Sequence, residues 1–353
     1  MAKLARAELF SSDEIACVHV MNRAVRRAYL MGDDPVSGKN FDHRRKWMDD
    51  RLKHFARLFG IDLLAYAIMS NHFHLVLRSR PDVVKQWSDT EVARRWFLIC
   101  PQRKSEDGSP LEPSEPELNS IRNDPDRLAE IRSRLSDISW WMRLLCQYVG
   151  QRANRETKES GKFWESRFKA VKLLDEAALL ACSAYVDLNP IRAQMAKTLE
   201  KSEYTSALSR LQAMIGEAGK SSESRTEFPS QDSFLAPITN DELRDAIGAN
   251  LAKHAGRASD KGYLNMSRAE YLCLLDETAR RVVAGKAGAT PKELPGLLKR
   301  VGLHEETWFC LIENFGQLFY NVAGEPHSIA AERTRLKKRR YRVRESVQQA
   351  FLC

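Results

Sequence analysis

Residues 61–79 read IDLLAYAIMSNHFHLVLRS, two apolar segments separated by Ser70 and Asn71. Each segment has the length of a strand, and the polar pair between them predicts either two paired strands or one strand with a sharp turn. In the second segment strand alternation sends His72 and His74 to one face and Phe73 to the other. Two converging imidazoles in an apolar run suit metal ligation, phosphoester chemistry, or ordinary hydrogen bonding at a strand end. The doublet alone leaves all three open.

Working outward, EIACVHVMNRAVRRAYL before this hairpin has an apolar, β-branched centre from Ile15 to Met21 that predicts a strand. NFDHRRKWMDDRLKHFARLFG then repeats apolar residues at Phe41, Trp47, Leu52, Phe55, Leu58 and Phe59 and stops at Gly60, as a helix would. The order is strand, helix, strand, strand. Residues 101–128 are rich in Pro, Ser and acids and read as an exposed insertion. An amphipathic helix follows with Asp137 as its cap, then an aromatic and basic strand in GKFWESRFKAVKLL. DEAALLACSAYVDLNPIRAQMAKTLE predicts a helix interrupted at Pro190. These segments define a first domain over 1–215. Residues 216–240 read as a polar linker. Residues 241–332 read as a helical domain built from NDELRDAIGANLAKHAG, SRAEYLCLLDETARRVVAG, TPKELPGLLKRVG and HEETWFCLIENFGQLFY, and 333–353 as a basic tail.

With 353 residues and 43% hydrophobic content the chain can bury sizeable cores. The first twenty residues lack the apolar centre of a signal peptide, and no stretch offers the roughly 18 apolar residues of a membrane span. A cytoplasmic protein without a membrane partner is expected. Seven scattered cysteines form no CxxC pair, which argues against a disulfide framework or a zinc ribbon. The net charge of +9 is local: RTRLKKRRYRVR, residues 333–344, holds eight basic residues and no acid, leaving +1 for the other 341. Lys337, Lys338, Arg339 and Arg340 at its centre point to contact with a polyanion, against the plainer reading of a solvated terminal helix.

A third ligand for the histidines would have to come from elsewhere, and AYVDLNP offers one, because Tyr185 and Asn189 are four apart and share a helical face. Each also has a plain structural reading. Tyr185 can be a core aromatic, and Asn189 can cap a helix that begins at Pro190.

MSNHFHLVL followed by GKFWESRFKAVKLLDEAALLACSAYVDLNPIRA resembles the single-tyrosine HUH transposases, in particular the branch associated with repetitive extragenic palindromes. The resemblance covers roughly residues 14–200. Its first motif is His, hydrophobic, His on a central strand, here His72, Phe73 and His74; its second is Tyr, two residues, Leu, Asn, Pro. The resemblance implies an α+β fold, a ferredoxin-like or RRM-like antiparallel sheet with helices on one face. It also implies Tyr185 as nucleophile, His72, His74 and Asn189 as ligands of Mg²⁺ or Mn²⁺, and single-stranded or hairpin DNA as substrate. The insertion is longer than in a compact member of that family.

That chemistry is self-consistent. Two imidazoles and an amide oxygen leave positions on a divalent cation for phosphate oxygens. A phenol with an ordinary pKa of about 10 needs help to attack at neutral pH. The product, a 5′-phosphotyrosine, retains phosphodiester character, so rejoining needs no ATP, and the sequence has no GxxxxGK[ST] loop. Arg23, Lys162, Arg167 and Lys169 are candidate phosphate contacts, and Phe163, Trp164 and Phe168 could stack bases or simply fill the core. Three rivals remain. One is a noncatalytic DNA-binding or regulatory protein derived from a transposase. Another makes Tyr148 the nucleophile, although position 152 is Arg where Asn189 serves Tyr185. The third is a histidine phosphoesterase, which would need a further histidine motif. Whether the chain forms a homodimer is left open.

Overall fold

The computed structural model describes residues 9–25, 32–33, 38–218, 230–240, 248–284, 298–300 and 303–336. Its strands are β1 (Cys17–Arg23), β2 (Ile61–Ile68), β3 (His72–Ser79), β4 (Lys169–Leu173) and β5 (Val322–Ala323). The helices are α1 (His43–Leu58), α2 (Pro81–Val84), α3 (Asp89–Ile99), α4 (Glu115–Arg122), α5 (Pro125–Leu135) and α6 (Ile138–Thr157). They continue with α7 (Glu176–Asp187), α8 (Asn189–Arg192), α9 (Ser206–Ala218), α10 (Arg268–Ala284), α11 (Glu305–Leu318) and α12 (Pro326–Arg335). The fold is α+β around one five-stranded sheet in the order β2-β3-β1-β4-β5.

The opening hairpin forms as two antiparallel strands, β2 and β3, with Ile61 opposite Ser79 and Ile68 opposite Phe73. All of β2 and nearly all of β3 are buried, which is why the hairpin reads as apolar runs rather than a clean alternation. β1 lies antiparallel between β3 and β4. β5 adds parallel to β4, so the sheet is mixed and not wholly antiparallel as the resemblance implied.

Helices cover both faces, a second departure from that expectation. On one face α1 meets β2 where the Tyr66 hydroxyl donates to Asp49 (3.0 Å), and α6 meets β1 where Asn22 donates to the Cys146 sulfur (3.3 Å). Phe55, Phe59 and Trp141 pack edge to face between α1 and α6, with centroids 5.0–5.3 Å apart. Each contributes about 1.5–3 kcal/mol by leaving water. The other face carries Cys17, His19 and Met21 of β1 beside His74 and Val76 of β3, and α7 and α11 cover it. An apolar sheet buried on both sides needs a layer on each.

Local caps set the helix starts. Asp137 accepts from the Ser139 amide (2.6 Å) ahead of α6, and Asp175 accepts from the Ala178 amide (2.9 Å) ahead of α7. Pro190 separates α7 from α8. Part of the expected insertion at 101–128 is α4, whose Ser114 and Glu117 form a capping box and whose Leu118 and Ile121 are buried.

The C-terminal half does not stand apart. Within the expected linker 216–240, Phe234, Leu235, Ala236 and Ile238 are buried, and the Ala236 amide donates to the Leu63 carbonyl (2.9 Å). Buried residues from both halves form one hydrophobic cluster. The helix expected over 240–256 fails where it is described, since 248–256 are turns and bends. In TPKELPGLLKRVG only 298–300 fall among the described residues, as helix. Among the described residues no helix is long and apolar enough to cross a membrane. Lys337, Lys338, Arg339 and Arg340 lie outside the described residues.

Candidate active site

β3 presents His72 and His74 on one face, their ring centroids 5.0 Å apart. Across the β1–β3 ladder Arg23 sits opposite His72 and Met21 opposite His74. His19, two residues before Met21, therefore shares that face and is a diagonal neighbour of His74. Its Nε2 lies 2.9 Å from His74 Nδ1, and the two rings stack with centroids 5.1 Å apart and planes 7° from parallel. His72 makes a second Nδ1 contact, 2.6 Å to the Asn71 side-chain oxygen.

All three histidines are held neutral. Burial lowers His19 to about 4. Burial, then the Arg23 charge, lowers His72 to about 4. His74 falls well below its ordinary value, first through burial and then through the charges of its neighbours His19 and His72. A neutral imidazole keeps a lone pair, which ligation requires.

α7 delivers Tyr185 to the same face. Its N-terminus is tied by Asp175, which also accepts from the Glu325 amide (2.7 Å). Its C-terminus is tied by Asp187, buried and accepting from Ser206 Oγ (2.5 Å), the Ala207 amide (2.8 Å) and the Tyr271 hydroxyl (2.7 Å). The Tyr185 ring lies edge-on to His74 and His19, with centroids at 5.7 and 6.1 Å. Burial raises the Tyr185 pKa, and Arg192 opposes burial through its charge and a hydrogen bond. The Arg192 guanidinium is 4.8 Å from the ring centroid and also donates to the Glu313 carbonyl of α11 (2.5 Å).

α11 closes over the tyrosine. Phe315 packs on its ring with centroids 5.6 Å apart, and a Cβ on Gly316 would stand 3.1 Å from the Tyr185 hydroxyl oxygen. Glycine at 316 is what lets α11 pass this close.

Asn189 opens α8 and is buried, and its Nδ2 has no hydrogen-bond partner. An unpartnered buried N–H donor costs on the order of 1–3 kcal/mol; it can donate to an acceptor but cannot itself ligate a cation. The Nδ1 atoms of His72 and His74 are engaged by Asn71 and His19, which leaves Nε2 on each imidazole. Among the described residues no group of three His, Cys, Asp or Glu side chains could hold a metal. Two neutral imidazoles, each with Nε2 not engaged by Asn71 or His19, are donors of the kind a divalent cation takes.

The remaining sequence candidates separate. Arg23, Lys162, Arg167 and Lys169 are exposed, with Arg23 and Lys169 on the histidine face. Trp164 is buried, its Nε1 donating to the Cys146 carbonyl (2.8 Å) and its ring edge-on to Phe73. It supports the sheet, and together with Arg143, Arg167 and Phe168 it also lines an open pocket beside α6. Phe168 is likewise buried. Tyr148 is on α6, across the sheet from the histidines, where it accepts from Arg152 (2.7 Å) and lies under Arg51. The sequence reading missed His19, Arg192, Phe315 and Gly316. Arg192 had a visible signal, being two helical turns after Tyr185. His19 had only its strand parity with Cys17 and Met21.

Among solved structures the chain is similar to one described as a REP-associated tyrosine transposase bound to a REP hairpin, with a TM-score of 0.34 and 9% identity. The overlap covers 58% of this chain and 82% of that one. A TM-score this low carries no argument about function. No family profile and no curated protein matches the chain.

Proposed function

We propose that this chain is a DNA strand-cleaving and strand-joining nuclease of the single-tyrosine HUH type, with Tyr185 as its nucleophile. The observation that carries the reading is the meeting of Tyr185, from α7, with His74 of β3 at 5.7 Å between ring centroids, His74 being paired in turn with His72 at 5.0 Å. The strand order β4-β1-β3-β2 in the core of the sheet, with one helix between β1 and β2, also supports the ferredoxin-like arrangement that the sequence resemblance implied.

In this reading the Tyr185 oxygen attacks a DNA phosphorus and the bond to the 3′-oxygen breaks. The phenol proton leaves to solvent, and the departing oxygen takes a proton to become a free 3′-hydroxyl. A 3′-hydroxyl attacking the phosphotyrosine reverses the step and joins ends. Arg192 offsets the burial of the phenol and so favours the phenolate. Arg23 and Lys169, on the same face, contact phosphates, and Lys162 and Arg167 extend that basic edge. His72, His74 and Asn189 would hold Mg²⁺ or Mn²⁺, which when bound supplies charge to the phosphate and orients it. The partner is single-stranded or hairpin DNA.

A second reading, a noncatalytic DNA-binding protein derived from a transposase, is favoured by one observation: α11 covers the Tyr185 hydroxyl. Incubating the purified chain with labelled hairpin DNA and Mg²⁺ or Mn²⁺ separates the two. A denaturation-stable adduct on the 5′ end, lost in Tyr185→Phe while DNA binding persists, supports the nuclease. Binding without any adduct supports the regulator, and an adduct mapped to Tyr148 overturns the assignment of Tyr185.

A further inference from the structure

We infer that His19 is a positioning residue that accepts the Nδ1 proton of His74 and thereby turns the lone pair of His74 Nε2 toward a divalent cation. This rests on the metal-dependent reading above and adds a residue to it.

The inference follows from proton counting. His19 Nε2 and His74 Nδ1 are 2.9 Å apart, and a neutral imidazole carries one N–H and one lone pair. Only two arrangements make the hydrogen bond. If His19 donates, the proton of neutral His74 must sit on Nε2, and that nitrogen cannot ligate. If His74 donates from Nδ1, its Nε2 is free to ligate, and His19 carries its own proton on Nδ1. His72 is constrained the same way by a different partner. Its Nδ1 faces the Asn71 side-chain oxygen at 2.6 Å, which can only accept, so its proton is on Nδ1 and its lone pair on Nε2. With His19 as acceptor both histidines of β3 present the same atom to the same side of the sheet.

The surroundings fit an orienting role. His19 is buried at 6% exposure, its ring is parallel to that of His74 within 7°, and Tyr185 and Phe315 wall it in edge-on, each with a centroid 6.1 Å away. A histidine packed this way cannot reorient without moving the nucleophile. It also explains why three histidines meet without forming a three-histidine metal group: the His19 nitrogen that faces its neighbours is used on His74. Outer partners of this kind fix tautomer and ring angle, and their loss typically costs about 10- to 100-fold in metal affinity.

The test uses the full chain labelled with ¹⁵N-histidine, together with Mn²⁺ titration followed by electron paramagnetic resonance. Long-range ¹H–¹⁵N correlation of the metal-free protein, with His74 identified from its loss in His74→Gln, is expected to show the proton on Nδ1. A proton on Nε2 overturns the proposal. His19→Phe should weaken Mn²⁺ binding about 10- to 100-fold, while His19→Gln, whose amide oxygen can accept from Nδ1, should restore most of it. If Mn²⁺ binding falls in His72→Ala but is unchanged in His19→Phe, the role of His19 is overturned and the metal reading stands. If binding is indifferent to His72→Ala as well, the metal reading itself is overturned.

Discussion

The two ends of β3 carry polar side chains into the same buried face of the sheet, and they treat them differently. At the far end Asp62 accepts from Arg78 (2.8 and 2.9 Å), Arg80 (3.2 Å) and Ser259 (2.9 Å). Arg78 also donates to the carbonyls of Gly262 (2.8 Å) and Lys261 (2.5 Å), and Arg80 to Asp82 and the carbonyl of Ala249. Every charge there has a partner. At the near end His72 and His74 are desolvated and neutral, each with one nitrogen engaged. A satisfied buried network fastens the segment 249–262 to the sheet; an unsatisfied one is where a ligand can enter.

The largest expected effect is on stability at the satisfied end. Asp62→Ala leaves two buried guanidinium groups without their shared carboxylate and should cost about 3–5 kcal/mol in denaturant unfolding. His72→Ala should change stability by less than about 1 kcal/mol, since it removes a group that burial already penalises. Equal losses for the two variants would break the contrast between the ends.

Acid should act next, and selectively on the near end. The unfolded His19 titrates near 6.5 and the folded one near 4. Between those values the unfolded chain holds the extra proton, so stability falls as pH drops through that window and is unaffected above it. For His19 the loss by pH 4 is on the order of 3 kcal/mol. Unfolding curves that superimpose at pH 7 and pH 4.5 would refute the neutral histidine cluster.

Arg192→Ala should slow adduct formation about tenfold at pH 7, through a lower phenolate fraction, with the deficit shrinking as pH rises toward the phenol pKa. A rate deficit independent of pH would assign Arg192 to DNA binding instead. The smallest stability effect is expected from Gly316→Ala. Alanine gains up to about 1 kcal/mol in helix propensity and loses a comparable amount in crowding the Tyr185 hydroxyl, so unfolding should be nearly unchanged. Adduct yield should nevertheless fall, because the oxygen is displaced, and unchanged yield would remove α11 from the site.

What could be read from the sequence was local. The hairpin of 61–79, the parity of His72 and His74 and the helical spacing of Tyr185 and Asn189 depend on periods of two or 3.6 residues, and the cap at Asp137 and the break at Pro190 on single residue types. The linker reading failed at 230–240 because sparse apolar residues such as Phe234, Leu235 and Ile238 have no period, yet each finds a place against β2 and its neighbours. Trp164 could not be assigned from the sequence for a related reason: aromatic and basic residues alternate in GKFWESRFK, but burial is decided by what lies opposite, here Phe73 and the middle of α6.

By itself the sequence determined a histidine pair on one strand face and a tyrosine with an asparagine one helical turn on, because covalent neighbours and fixed backbone periods allow little else. Tertiary structure alone decided that His19 stacks on His74 and that α11 passes over the Tyr185 hydroxyl at Gly316. The histidine stack and the passage of α11 join residues far apart in the chain, and strand order and helix packing bring them together through a shared core that no short segment encodes.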